Sequence, residues 1–136
     1  MSGSAMRAVD TNVVVRLLTR DDAQQVAAAE AFVRDGAWIS HVVLAEAVWV
    51  LESVYELTHQ QIVTALEMLL DHHNLTLQDS DVVAAALDRF RARPALGFSD
   101  CLVLEIARKA GHLPLGTFDR DLARLPDAQR LTASRG

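Results

Sequence analysis

The stretch Arg7-Ala8-Val9-Asp10-Thr11-Asn12-Val13-Val14-Val15-Arg16-Leu17-Leu18 constrains the chain most. A short apolar lead-in ends at an acid, passes two small polar residues and re-enters an apolar run. A buried strand feeding a helix reads this way. In open parallel α/β sheets ligands bind beyond the carboxyl ends of the strands, so Asp10 falls where chemistry is done.

Further strand and helix signals follow in alternation. Residues 12–19 read as a short helix, and Asp21-Asp22 open a second, with Ala23, Val26, Ala27 and Phe32 on one face and Gly36 as its stop. Ala37-Trp38-Ile39-Ser40 reads as a strand with a polar cap, followed by a helix to about Glu56. Residues 58–72 carry the apolar stripe Ile62, Leu66 and Leu69/Leu70, and 74–77 alternate like a strand. Residues 79–93 are helical up to Pro94. Ser99 is expected to cap a helix over 100–110 that Gly111 closes. Residues 113–118 form a strand ending at Asp119, 121–125 a helical turn, and 130–132 an edge strand. Such alternation predicts the α/β class, with a parallel sheet covered on both faces.

Four acids do not fit a bland core. Glu46 stands in Val42-Val43-Leu44-Ala45-Glu46-Ala47-Val48-Trp49, where every neighbour is apolar. An ionised carboxylate buried there needs a partner, a proton or a metal; the ordinary alternative is that the helix turns it to solvent. Asp100 opens a helix, where acids commonly offset the macrodipole. Asp119 follows an apolar strand as Asp10 does, and Asp121 has the look of a helix cap. Two strand-end acids and two helix acids are expected to meet at one sheet edge.

Carboxylates gathered closely repel and raise one another's pKa unless a cation intervenes. A donor set of oxygen alone points to Mg²⁺ or Mn²⁺ over zinc. Such an ion can activate water and steady the leaving group of a phosphodiester displacement. The net charge of −5 excludes a broad basic nucleic-acid clamp but not an enzyme that grips phosphate through metal. His41, His59, His72, His73 and His112 show no ligand spacing, and no Gly-rich phosphate loop or nucleophile elbow occurs. Arg89-Phe90-Arg91-Ala92-Arg93 reads as a solvated helix face, with RNA-backbone contact as the minority reading.

The ordered motifs V-D-T-N-V-V-V-R (residues 9–16), L-A-E-A (44–47), F-S-D-C (98–101) and T-F-D-R-D (117–121) resemble those of the PIN-domain ribonucleases, specifically the VapC-type toxins of bacterial toxin–antitoxin pairs. The resemblance implies a three-layer α/β/α fold with a short central parallel sheet. It implies that Asp10, Glu46, Asp100 and Asp119 form an acidic quartet around Mg²⁺ or Mn²⁺, with Asp10 and Asp100 the most direct ligands. Thr11, Asn12, Ser99 and Thr117 would orient the carboxylates, and Asp121 is an additional acid. An RNA substrate, a VapB-type antitoxin, homodimerisation and a higher assembly with the antitoxin are implied as well. The apolar faces of the helices over 21–34 and 58–72, Ile62 and Leu66 among them, are the expected docking surfaces.

Two other functions compete with an endoribonuclease toxin. One is a PIN-fold module that acts with its antitoxin at operator DNA and cleaves little. The other is a phosphatase-type α/β domain, against which Asp10-Thr11-Asn12 stands in place of Asp-x-Asp and Lys109, the only lysine, falls late in a helix. Residues 1–5 read as a flexible tail or cloning remnant before one domain over 6–136. The lone Cys101 reads as a small buried hydrophobe, and with no membrane-length apolar run the expected location is the cytoplasm.

Overall fold

A computed structural model describes residues 6–133. The expectation for residues 1–5 lies outside the described residues. The chain divides into two compact units between Ser80 and Asp81.

In the first unit, β1 (Arg7–Ala8), β2 (Ala37–Ile39) and β3 (Leu75–Leu77) form a parallel sheet in the order β1-β2-β3. Arg7 pairs with Ala37, and Ala37 with Leu75. Parallel neighbours require crossovers. Helices α1 (Thr11–Thr19) and α2 (Ala23–Val33) supply the first; α3 (His41–Ser53) and α4 (His59–Asp71) supply the second. The starts of these helices are set by side chains. Asp10, Asp22, Ser40 and Thr58 each accept a backbone N–H from three residues on, and Gln61 closes a reciprocal capping box with Thr58. Val14, Ile39, Leu44, Leu51, Ile62 and Leu66 are fully buried.

That burial corrects one expectation. Ile62 and Leu66 belong to the core of this unit, so they offer no docking surface; the exposed apolar side chain of α4 is Met68. On α2 the buried positions are Val26, Ala29 and Val33, while Ala27 is exposed.

The second unit holds α5 (which runs Ser80–Ala92), α6 (Phe98–Ala110), β4 (Leu115–Thr117), a 3₁₀ turn at Leu122–Arg124 and β5 (Ala128–Arg130). Strands β4 and β5 pair in parallel, with Thr117 opposite Arg130. Phe90 and Phe98 meet edge to face at 5.9 Å between centroids. Helix α6 starts two residues earlier than expected. Gly97 is its N-cap with no side-chain cap bond, which places Ser99 and Asp100 inside the first turn, so Ser99 is not the cap. Phe98 is buried and enters the helix as a packing residue, and no polar side chain marks the boundary. Gly111 closes α6 with φ of 84°, a conformation natural to glycine.

Buried Glu105 is the polar centre of this unit. Arg89 Nε donates to its Oε2 at 2.5 Å and Arg108 Nε to its Oε1 at 3.2 Å. Arg108 also bonds Asp127. The basic run at 89–93 resolves accordingly: Phe90 is buried, Arg89 is tied to Glu105 and Arg91 pairs with Asp88 at 2.8 Å. Cys101 is fully buried, and desolvation pushes its thiol up to about 11, which leaves it inert at neutral pH. No helix among the described residues is long and apolar enough to cross a membrane.

Candidate functional site

In the first unit Asp10 sits between β1 and α1. Its Oδ1 accepts the Val13 N–H at 3.2 Å, so the residue ends the strand approach and starts the helix at once. Packing of α1 on α3 brings Glu46 beside the residue that follows Asp10: Thr11 Oγ1 approaches Glu46 Oε2 at 3.4 Å. Glu46 is exposed, and so are Val42 and Trp49 on the same face of α3. The helix therefore turns the acid to solvent despite its apolar neighbours.

Asp10 and Asn12 also line a cleft of about 480 Å³ with Val13, Arg16, Gln25 and Phe32. Asn12 makes no side-chain hydrogen bond within the described residues. Arg16 is held from several sides: its Nη1 donates to Tyr55 Oη at 2.8 Å and to Asp21 Oδ1 at 3.2 Å, and its Nε bonds Gln25. Tyr55 Oη in turn donates to Asp21 Oδ2 at 2.8 Å. This hydrogen bond, then one from Thr19, holds the Asp21 carboxyl below its usual range. This cluster leaves no pattern in the sequence, where the single tyrosine of the chain is its one available signal.

In the second unit Asp100 projects from the first turn of α6, and Asp119 follows β4. Burial raises the Asp100 pKa, and the Asp119 charge raises it further. These two acids therefore lie within electrostatic reach of each other. Asp119 is fixed by its own loop. Its Oδ1 accepts the N–H groups of Asp121 at 2.8 Å and Leu122 at 2.9 Å, and its N–H donates to Thr117 Oγ1 at 3.0 Å. Asp119 thus performs the capping expected of Asp121, whose side chain makes no cap bond. Ser99 is exposed and makes no side-chain hydrogen bond within the described residues.

The structure thus brings Asp100 and Asp119 within electrostatic reach of each other in the second unit, and in the first it sets Glu46 beside Thr11, the residue that follows Asp10. Among the described residues no group of three or more His, Cys, Asp or Glu side chains is clustered tightly enough to hold a metal ion.

A family model described as the PIN domain matches residues 7–128. The chain belongs to the PIN-domain family. That match runs through both units of this PIN domain and carries the three-layer α/β/α class expected from the sequence. It places the chain in a family of nucleases. The crystal structure of VapC20 from Mycobacterium tuberculosis, described as a sarcin–ricin loop cleaving toxin, is similar to this PIN domain at 19% identity and a TM-score of 0.40, covering 90% of this chain and 96% of that one. No curated protein matches the sequence significantly.

Proposed function

We propose that this PIN domain is a Mg²⁺- or Mn²⁺-dependent endoribonuclease, the toxin of a VapC-type toxin–antitoxin pair. Its essential acids are Asp10, Glu46, Asp100 and Asp119. The reading rests on the sequence motifs and family membership, and one structural observation supports it: burial, and then the charge of Asp119, makes Asp100 harder to ionise. Carboxylate oxygen is the donor set that a hard divalent cation takes.

When bound, such an ion supplies activated water and charge neutralisation at the scissile phosphate. The chain's own groups do the rest. Asp10 and Asp119 each give one oxygen to nearby backbone N–H groups, which fixes the carboxylate plane and leaves the second oxygen for a ligand. Thr11 steadies Glu46, and Thr117 steadies the Asp119 loop. Asn12 is a free polar group at the cleft wall beside Asp10. RNA is the substrate and a VapB-type antitoxin the inhibitor in this reading, with homodimerisation accompanying it. The exposed Met68 and Trp49 are better candidates for apolar contacts with another chain than the buried Ile62 and Leu66.

Purified, antitoxin-free protein incubated with total RNA and Mg²⁺ or Mn²⁺ tests the proposal. Discrete fragments that vanish with EDTA and with Asp10→Asn are expected. Metal binding by calorimetry without any cleavage would shift the function to an operator-binding module, and absence of both would leave the acids as caps and turns.

A further inference from the structure

Phe118 is the most exposed large apolar side chain among the described residues, at 70%. It lies directly after β4 and directly before Asp119. An aromatic ring held in water beside an acidic site is costly unless something covers it. Three arginines surround this position in sequence and register. Arg120 follows Asp119, Arg124 ends the 3₁₀ turn and Arg130 pairs across the ladder from Thr117. All three are exposed, and none has a hydrogen-bond or ion-pair partner among the described residues. Other cations of this unit behave differently: Arg89 and Arg108 pair with Glu105 and Asp127, Arg91 with Asp88 and Lys109 with Asp81. Arg93 shares the exposure of the three but lies just past the end of α5, away from this edge in sequence.

In a chain of net charge −5, unpaired arginines gather at the carboxyl edge of β4–β5, where open parallel sheets bind ligands. We infer that this edge is a binding surface for unpaired RNA, with Phe118 stacking on a base and Arg120 and Arg130 contacting the phosphates on either side. Stacking tolerates any base because every base presents a π face, and arginine supplies the matching charge. Asp119 and Asp121 lie in the same loop and oppose a polyanion, a repulsion that a divalent cation held by the proposed acids would offset. The inference rests on the nuclease reading and adds to it the residues that hold the substrate.

Equilibrium binding of a fluorescent single-stranded RNA, with Ca²⁺ in place of Mg²⁺ and across a salt series, tests it on the full chain. Phe118→Ala should weaken binding about ten-fold without altering the salt slope, and Phe118→Tyr should restore it. Arg120→Ala and Arg130→Ala should each weaken binding and lower the slope of log affinity against log salt by about 0.7. Arg93→Ala, exposed in the same unit, serves as the control that changes neither. Wild-type affinity and slope in all three edge variants would overturn the inference, as would loss of self-association with RNA binding intact, which would make the edge a protein contact. Cleavage by wild type together with unaffected variants sinks this inference alone. A wild type that neither binds nor cleaves RNA sinks the nuclease reading and this inference with it.

Discussion

Arg89 Nε meets Glu105 Oε2 at 2.5 Å, across the two long helices of the second unit. Glu105 is 5% exposed and the Arg89 side chain 27%, so the carboxylate depends on its arginines more than they depend on it. Arg89→Met should lower stability by about 2–3 kcal/mol, toward the lower end for a broken buried pair because Arg108 still reaches Glu105. Urea unfolding measures this. The double variant Arg89→Met, Glu105→Leu should recover much of the loss, since it leaves no buried charge unmatched.

Asp10 has a capping duty and a proposed chemical one, and two substitutions separate them. Asn caps a helix as well as Asp does, so Asp10→Asn should keep wild-type stability while RNA cleavage falls at least about 100-fold. Asp10→Ala should lose the activity and also about 1 kcal/mol, because the Val13 N–H is left without its acceptor. Thermal unfolding beside a cleavage assay reads both. Equal destabilisation by the two variants would refute the capping role.

The Asp100 carboxyl is raised by burial and then by the Asp119 charge. A carboxyl raised in the folded state contributes stability below its ordinary pKa, and that contribution is lost as pH rises through the folded value. In EDTA at pH 7, Asp100→Asn should therefore melt about 1–3 °C above wild type, and the gap should close below about pH 4. Mg²⁺ should raise the melting temperature of wild type more than that of the variant. A marked loss of stability in the variant would instead make Asp100 a structural cap of α6.

Asp21 shows the opposite sign. The Tyr55 hydroxyl, then Thr19, holds its carboxyl below the usual range. The associated stability is present above the ordinary carboxylate pKa and is lost as pH falls through the folded value. Tyr55→Phe should therefore melt below wild type at neutral pH, with the difference narrowing below about pH 4. Melting curves at pH 7, 5 and 3 check it.

Local signals account for what the sequence revealed. Asp22, Ser40 and Thr58 mark helix starts with side chains that bond the backbone three residues on, and those boundaries came out within a residue or two. The start of α6 was misplaced because Gly97 carries no side chain and the helix opens on buried Phe98. The stripe Ile62–Leu66–Leu69 showed that a helix buries a face, but an apolar stripe looks the same whether it meets its own sheet or another chain. Glu46 misled for a related reason: Val42 and Trp49 share its exposed face, so apolar neighbours in sequence did not mean burial. The Glu105–Arg89–Arg108–Asp127 and Arg16–Asp21–Tyr55 clusters join residues far apart in sequence, and no periodicity records such meetings. The acids Asp10, Asp100 and Asp119 stood out because each interrupts an apolar run at an element boundary.

The Oδ1 contacts of Asp10 and Asp119 reach amides only two or three residues away. Each carboxylate is therefore aimed by a few consecutive peptide units, whatever the distant chain is doing. Segments 9–13 and 117–122 would keep that aim if transplanted onto another strand end, which makes them portable parts for building an acidic centre into an unrelated parallel sheet.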